Sequence, residues 1–223
     1  MDTKRIILLL FAGFNVFLSS AQDLGPGKKH NVTQELAWGL SIPIVEQENE
    51  IQTWGSNDFI YGIGYRNKVA PFLGLGGSFN TRWMQYKIRQ HDDKFYPDTL
   101  IWDKQRINVL SFHFTFYTRW FLMQKTSYEG LYMDLGLASD LFLYRENFFL
   151  DRDADAKRTR ERGLQYMRFG SFGGLFRIGY NDLSIFANYR LSDLFKLNNG
   201  SQYAEVARFS LGIGWSPTIK SDD

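Results

Sequence analysis

The run Leu183-Ser184-Ile185-Phe186-Ala187-Asn188-Tyr189-Arg190-Leu191-Ser192 is followed, after a polar stretch, by Arg208-Phe209-Ser210-Leu211-Gly212-Ile213-Gly214-Trp215-Ser216. In the first run Leu183, Ile185, Ala187, Tyr189 and Leu191 alternate with Ser184, Asn188, Arg190 and Ser192. In the second, Phe209, Leu211, Ile213 and Trp215 alternate with Arg208, Ser210, Gly212, Gly214 and Ser216. A period of two kept up over this length means β-strands with one apolar face and one small or polar face. Which face turns inward depends on the rest of the chain.

The same period recurs upstream. It predicts strands over 35–45, 58–65, 72–88, 107–121, 130–144 and 164–180, which with 183–192 and 208–216 makes eight. The connections between them alternate: long, short, long, short, long, short, long. Alternate connections of an up-and-down barrel share a rim, so four long loops fall at one end. Three short turns, Asn181-Asp182 among them, fall at the other end with both termini. This is the layout of bacterial outer-membrane barrels, whose turns face the periplasm.

Composition agrees. The chain has 223 residues, enough for one all-β domain. Aromatics make up 17%, with 20 glycines and only 5 prolines, a mixture suited to long strands and unsuited to disorder. A net charge of +2 implies no strong pull toward nucleic acid. There is no cysteine, which excludes disulfides, thiolate chemistry and Cys metal sites.

The N-terminus reads as a secretory signal. Lys4 and Arg5 precede an apolar stretch over 6–18, and Ser19-Ser20-Ala21 supplies the small residues of a cleavage site. The expected organisation is a signal peptide over 1–21, a periplasmic leader over 22–34, a barrel over 35–217 and a periplasmic tail over 218–223. No later stretch has the apolar length of a membrane helix.

A secreted barrel with an apolar interior would alternate equally well. Two features favour an apolar exterior. The non-apolar face is rich in Gly, Ala and Ser, which suit the crowded interior of an eight-stranded barrel. The aromatics also sort by height: Trp38, Trp120, Trp215, Tyr65 and Tyr180 near the short-turn rim, Trp83 toward the loops. Aromatic girdles of this kind sit at lipid–water interfaces.

The run Asn188-Tyr189-Arg190-Leu191-Ser192-Asp193-Leu194-Phe195-Lys196 resembles the penultimate strand of small outer-membrane barrels of the PorT-like family. The closing Phe209-Ser210-Leu211-Gly212-Ile213-Gly214 and a signal peptide ending in Ala-Gln are similar to theirs as well. The resemblance implies a membrane barrel linked to a secretion or envelope apparatus. The chain departs from many outer-membrane proteins by running on past Trp215.

Several constellations carry potential chemistry. Arg82, Asp134, Asp140, Arg177, Arg190 and Arg208 should face the interior, with Asp134 and Arg177 low and the others toward the loops. Arg190 and Arg208 are expected to point at Asp140. These charges read as a salt-bridged plug, because buried charges must pair and eight strands leave no open channel. The competing reading is a narrow gated pore. Ser111 and His113 invite a lipid-hydrolase reading, but both should face inward, away from lipid, and neither is followed by a recognisable orienting acid.

Asp151, Asp153 and Asp155 open like a calcium loop, yet Ala156 and Arg162 stand where Gly and Glu are required. The Lys157, Arg158, Arg160 and Arg162 that follow pair with those acids or meet lipopolysaccharide phosphates. His91-Asp92-Asp93 is a weak metal cluster, and Gly74-x-Gly76-Gly77 lies mid-strand, away from any phosphate-binding turn.

The expectation is therefore an all-β, eight-stranded antiparallel up-and-down transmembrane barrel in the cell outer membrane, non-enzymatic and without cofactor or metal. Its expected partners are outer-membrane lipid and lipopolysaccharide, the barrel insertion machinery and an unidentified envelope protein, with no nucleic acid.

Overall fold

The computed structural model describes residues 30–44, 50–92, 100–124, 130–151, 157–196 and 205–219. The expected signal peptide and most of the leader lie outside them, as do residues 220–223. Regular structure among the described residues is entirely β: β1 His30–Ile42, β2 Ile51–Ala70, β3 Leu73–Ile88, β4 Lys104–Gln124, β5 Gly130–Asp151, β6 Lys157–Arg162, β7 Gly170–Tyr180, β8 Leu183–Arg190 and β9 Phe209–Trp215.

All nine strands form one antiparallel sheet in the order β4-β3-β2-β1-β9-β8-β7-β5-β6, and the pairing of β4 with β5 closes it into a ring of eight. The stagger of that closure can be read from the ladder. From Leu36, stepping one way leads through Tyr61, Thr81 and Phe112 to Leu141 on β5. Stepping the other way leads through Trp215, Leu183 and Tyr180 to Leu131 on the same strand. The two arrivals are ten residues apart. At about 3.3 Å per residue and about 4.7 Å between strands, this stagger inclines the strands roughly 40° to the ring axis.

Several strands outrun their sequence-based bounds. The expected leader ended at residue 34, yet β1 begins at His30, where Val32 pairs with Tyr65 and Gln34 with Ile63. The expected tail is partly sheet too. Pro217 accepts a bond from the Gln34 amide, and the Ile219 amide donates to Val32. Backbone groups at a sheet seam need partners whatever their side chains are, so pairing runs on past the last apolar residue. On β2 the strand reaches back to Ile51 through a bulge between Gln52 and Asn57, where Gly55 adopts a φ of 96°.

The largest departure lies between β5 and β7. Residues 145–163 read as a charged loop, and 164–180 as one strand. Instead β5 continues to Asp151 and folds back through β6, with Phe148 opposite Arg160, as a hairpin projecting beyond the ring. Residues 163–169 then leave the sheet, and β7 starts only at Gly170. Arg158, Arg160 and Arg162 in alternation with Thr159 and Glu161 support a two-stranded ribbon as well as a loop, so polarity alone does not separate the two.

Candidate functional site

Alternation along each strand sends Glu35, Asp58, Arg66, Arg82, Arg119, Asp134, Asp140 and Arg177 into the ring, all of them buried. Four arginines thus face four carboxylates, arranged as two layers. In the layer nearer the loops, Arg82 on β3 donates from Nε and Nη2 to both oxygens of Asp58 on β2, at 2.8 and 2.6 Å. Its Nη1 donates to Asp140 on β5 at 2.9 Å. Asp140 also accepts from Ser111 and Ser171 and pairs with His113 Nδ1 at 2.8 Å.

In the layer nearer the short turns, Arg119 on β4 grips Asp134 on β5 with two bonds of 2.7 and 2.8 Å. Its guanidinium lies 3.5 Å from the centre of the Tyr132 ring. Arg177 on β7 reaches Glu35 on β1 at 3.4 Å and Asp134 at 3.8 Å. Asn80 donates to Glu35 as well. Paired geometry of this kind is what offsets the desolvation of buried charge.

Aromatic rings fill the space between these layers and the wall. The Tyr117 ring lies across Gly76 on β3, where an added Cβ would approach it to 2.5 Å, whereas at Gly136 on β5 a Cβ would meet the Phe116 carbonyl and the Tyr117 Cβ and Cα. Phe186 covers Gly212 and Gly39 as Tyr117 covers Gly76. Gly76, Gly39 and Gly212 are thus sites where a ring lies against a neighbouring strand. Two cavities among the described residues inside the ring are small. One of about 20 Å³ adjoins His113, Asn80 and Arg177. Another of about 20 Å³ adjoins Arg82, Asp140 and Arg190. Each is about the size of one water molecule.

Above the Arg82 layer the inward face turns apolar. Met84, Tyr86 and Ile88 on β3, Ile107 and Val109 on β4 and Phe142 on β5 meet Leu164, Met167, Leu194, Phe195 and Val206 from the connecting segments. This cap is tied down by backbone bonds from Arg168 to Leu194 and from Lys196 to Tyr166. The Arg145 guanidinium also donates to the carbonyls of Met167 and Arg168. A hydrophobic core thus closes the loop end, and two ion-paired layers occupy the rest.

Two expected pairings change. Arg190 does not reach Asp140; its Nη2 donates to Glu205 at 2.9 Å, and Glu205 also accepts from the Leu194 amide. Arg208 is half-buried and bonds Asp193 at 2.5 Å. The cause is that residues 191–196 and 205–207 pack over the ring end and bring their own acids, Asp193 and Glu205, while Arg82, His113 and two serines already occupy Asp140. Asp134 and Arg177 do meet, with Arg119 as the stronger partner of Asp134. Glu35, Asp58, Arg66 and Arg119 were passed over in the sequence. Their strand parity marks them: Arg119 shares the face of His113 and Thr115, and Glu35 that of Ala37 and Gly39.

Ser111 and His113 do have an acid beside them, contrary to the reading of the sequence, because Asp140 is supplied by the neighbouring strand. The connectivity is nonetheless wrong for a nucleophile. Ser111 Oγ lies 3.1 Å from Asp140 Oδ1, so serine and histidine both bond the carboxylate, whereas activation needs serine on the histidine. Both side chains are buried inside the ring.

His91 is exposed and bonds Glu50 at 2.9 Å, and Asp93 lies outside the described residues. No group of three potential metal ligands occurs among the described residues. Of the calcium-like acids, Asp153 and Asp155 also lie outside them.

The outward face carries the large apolar side chains. Trp38, Tyr65, Trp120, Tyr180 and Trp215 are each at least 40% exposed, as are Phe116, Leu137, Phe172, Ile185 and Ile213. Tyr180 and Trp215 both pair with Leu183 beside the Asn181-Asp182 turn, and Trp120 pairs with Leu73 beside the turn at 71–72. Trp38 was expected at this end and is not. With β1 starting at His30, it stands mid-strand in the row Trp38–Phe59–Trp83. No family model matches the chain, and no curated protein matches it.

Proposed function

We propose that the chain is an up-and-down β-barrel spanning the bacterial outer membrane, where it serves as a non-enzymatic structural or accessory component of an envelope or secretion assembly of the PorT-like kind. One observation carries the membrane reading. The ring turns its large apolar side chains outward and its arginines and carboxylates inward, the reverse of a barrel built for water. The ten residues from Trp120 to Leu110 on β4 rise about 25 Å at 3.3 Å each and a 40° inclination, the height of the apolar band in such barrels.

The filled interior supports an accessory role over a pore. Ion-paired layers lie below and an apolar cap above, and two cavities beside the charged side chains are each about 20 Å³. The shared carboxylate of Ser111 and His113 weighs against a lipid hydrolase. Function then rests on the loop end and the short-turn rim, the two surfaces open to a protein partner.

Fractionation of cells after signal cleavage tests the address: the mature chain is expected in the outer membrane, and recovery as a soluble protein would sink the membrane reading. Crosslinking in intact envelopes followed by detergent pulldown tests the role. A reproducible co-purifying envelope protein is expected, and a clean monomer would overturn the accessory reading.

A further inference from the structure

The outward face changes character directly above the aromatic row that runs Trp83–Leu110–Tyr144. The next outward row reads Asn57, Gln85, Asn108, Glu146 and Arg162 across β2 to β6. The row above it reads Gln52, Lys87, Arg106, Phe148 and Arg160, and the last reads Lys104, Leu150 and Arg158. These three rows thus hold six cations, Lys87, Lys104, Arg106, Arg158, Arg160 and Arg162, and one carboxylate, Glu146.

They are built into a surface. Arg106 and Arg160 lie over the Phe148 ring at 4.7 and 5.8 Å. Glu146 is 3.6 Å from Arg162 and 4.0 Å from Arg160, and also accepts from Asn108 and Tyr144. Lys104, Arg158, Arg160 and Arg162 remain exposed. Neighbouring strands stand about 4.7 Å apart and alternate residues about 7 Å apart, a spacing that lets two or three cations converge on one phosphate.

We propose that this face docks the phosphorylated headgroup of an outer-leaflet lipid, which also gives the β5–β6 hairpin its role. The inference rests on the membrane reading. Apolar, then aromatic, then basic is the order in which a lipid presents acyl chain, interface and phosphate, and the cations stand one to three rows above the aromatics. Arginine suits the task because its planar fork binds phosphate bidentately while stacking on a ring. A free anion has no reason to select a cluster that begins where an apolar band ends.

The test uses the full chain in a neutral detergent, titrated with a bisphosphorylated glucosamine-disaccharide lipid, with the same lipid dephosphorylated, and with inorganic phosphate. The triple variant Lys104→Gln, Arg158→Gln, Arg160→Gln removes exposed charges only. Binding of the phosphorylated lipid is expected to weaken roughly fivefold per charge, about a hundredfold in all. Arg158→Lys with Arg160→Lys should weaken binding less than the two Gln changes do, because the charge stays while the fork is lost, and Lys68→Gln at the opposite end of the ring should leave it unchanged. The dephosphorylated lipid should not distinguish parent from triple variant.

Equal affinity of parent and triple variant, both recovered in the outer membrane, would overturn this inference and leave the membrane reading intact. Inorganic phosphate competing at the same concentrations as the lipid would also overturn it, by marking a free-anion site. Recovery of the parent as a soluble protein would overturn both.

Discussion

Arg82 and Asp140 sit on strands separated by β4 yet meet across the ring interior at 2.9 Å, while the same guanidinium holds Asp58 on β2 with two further bonds. One side chain thereby fastens two carboxylates from different sides of the closed sheet. Replacing Arg82 with Met leaves both acids buried without their counter-charge. The expected cost is about 3–5 kcal/mol in equilibrium unfolding by urea in lipid or detergent. Adding Asp58→Asn and Asp140→Asn should restore part of that loss, so the three changes together cost less than their separate effects would sum to.

The contact between Tyr117 and its two glycines separates side-chain from backbone crowding. At Gly76 a Cβ would meet the Tyr117 ring and hydroxyl, whereas at Gly136 it would meet the Phe116 carbonyl and the Tyr117 backbone. Gly76→Ala and Gly136→Ala are each expected to destabilise by about 1–3 kcal/mol. Unfolding measured in a Tyr117→Ala background should show the Gly76→Ala penalty largely relieved and the Gly136→Ala penalty retained.

The cap predicts a local weakness. Leu194 is fully buried among Met84, Met167 and Val206, on a connection rather than a strand. Leu194→Ala should cost about 2–5 kcal/mol of cap stability. The expected readout is faster proteolytic cleavage within 191–207, with the strand ladder still protected in amide exchange.

Tryptophan heights supply a direct test of burial in lipid. In single-tryptophan variants placed in bilayers of brominated lipid, Trp38, Trp83, Trp120 and Trp215 should be quenched. Trp54 is 80% exposed at the bulge beyond the aromatic row and should escape quenching by bromines deep in the acyl region. Quenching of Trp54 as strong as that of Trp120 would contradict the assigned heights.

What could be read from the chain alone follows from its period of two. Leu183, Ile185, Leu211 and Ile213 on one face, with Ser184, Ser210 and Gly214 on the other, already define paired strands, and the loop lengths imply eight of them around one ring. The ring order follows from the same signal, while the outward turn of the tryptophans follows from the Gly, Ala and Ser of the opposite face and from the sorting of aromatics by height. Parity also carried the inward direction of Arg82, Asp140 and Arg177, because one residue's face fixes its neighbours' along the whole strand.

Partner choice was decided only by the tertiary structure. Arg190 takes Glu205 and not Asp140 because a connection folds back over the ring end, and Asp140 serves Ser111 and His113 together because β4 and β5 are joined by the closure. The hairpin of β5 with β6, and the basic rows it completes, depend on register across five strands. Alternation within one strand states which way a side chain points. Only the stagger between strands states what it meets, since a shift of two residues keeps every face and changes every partner.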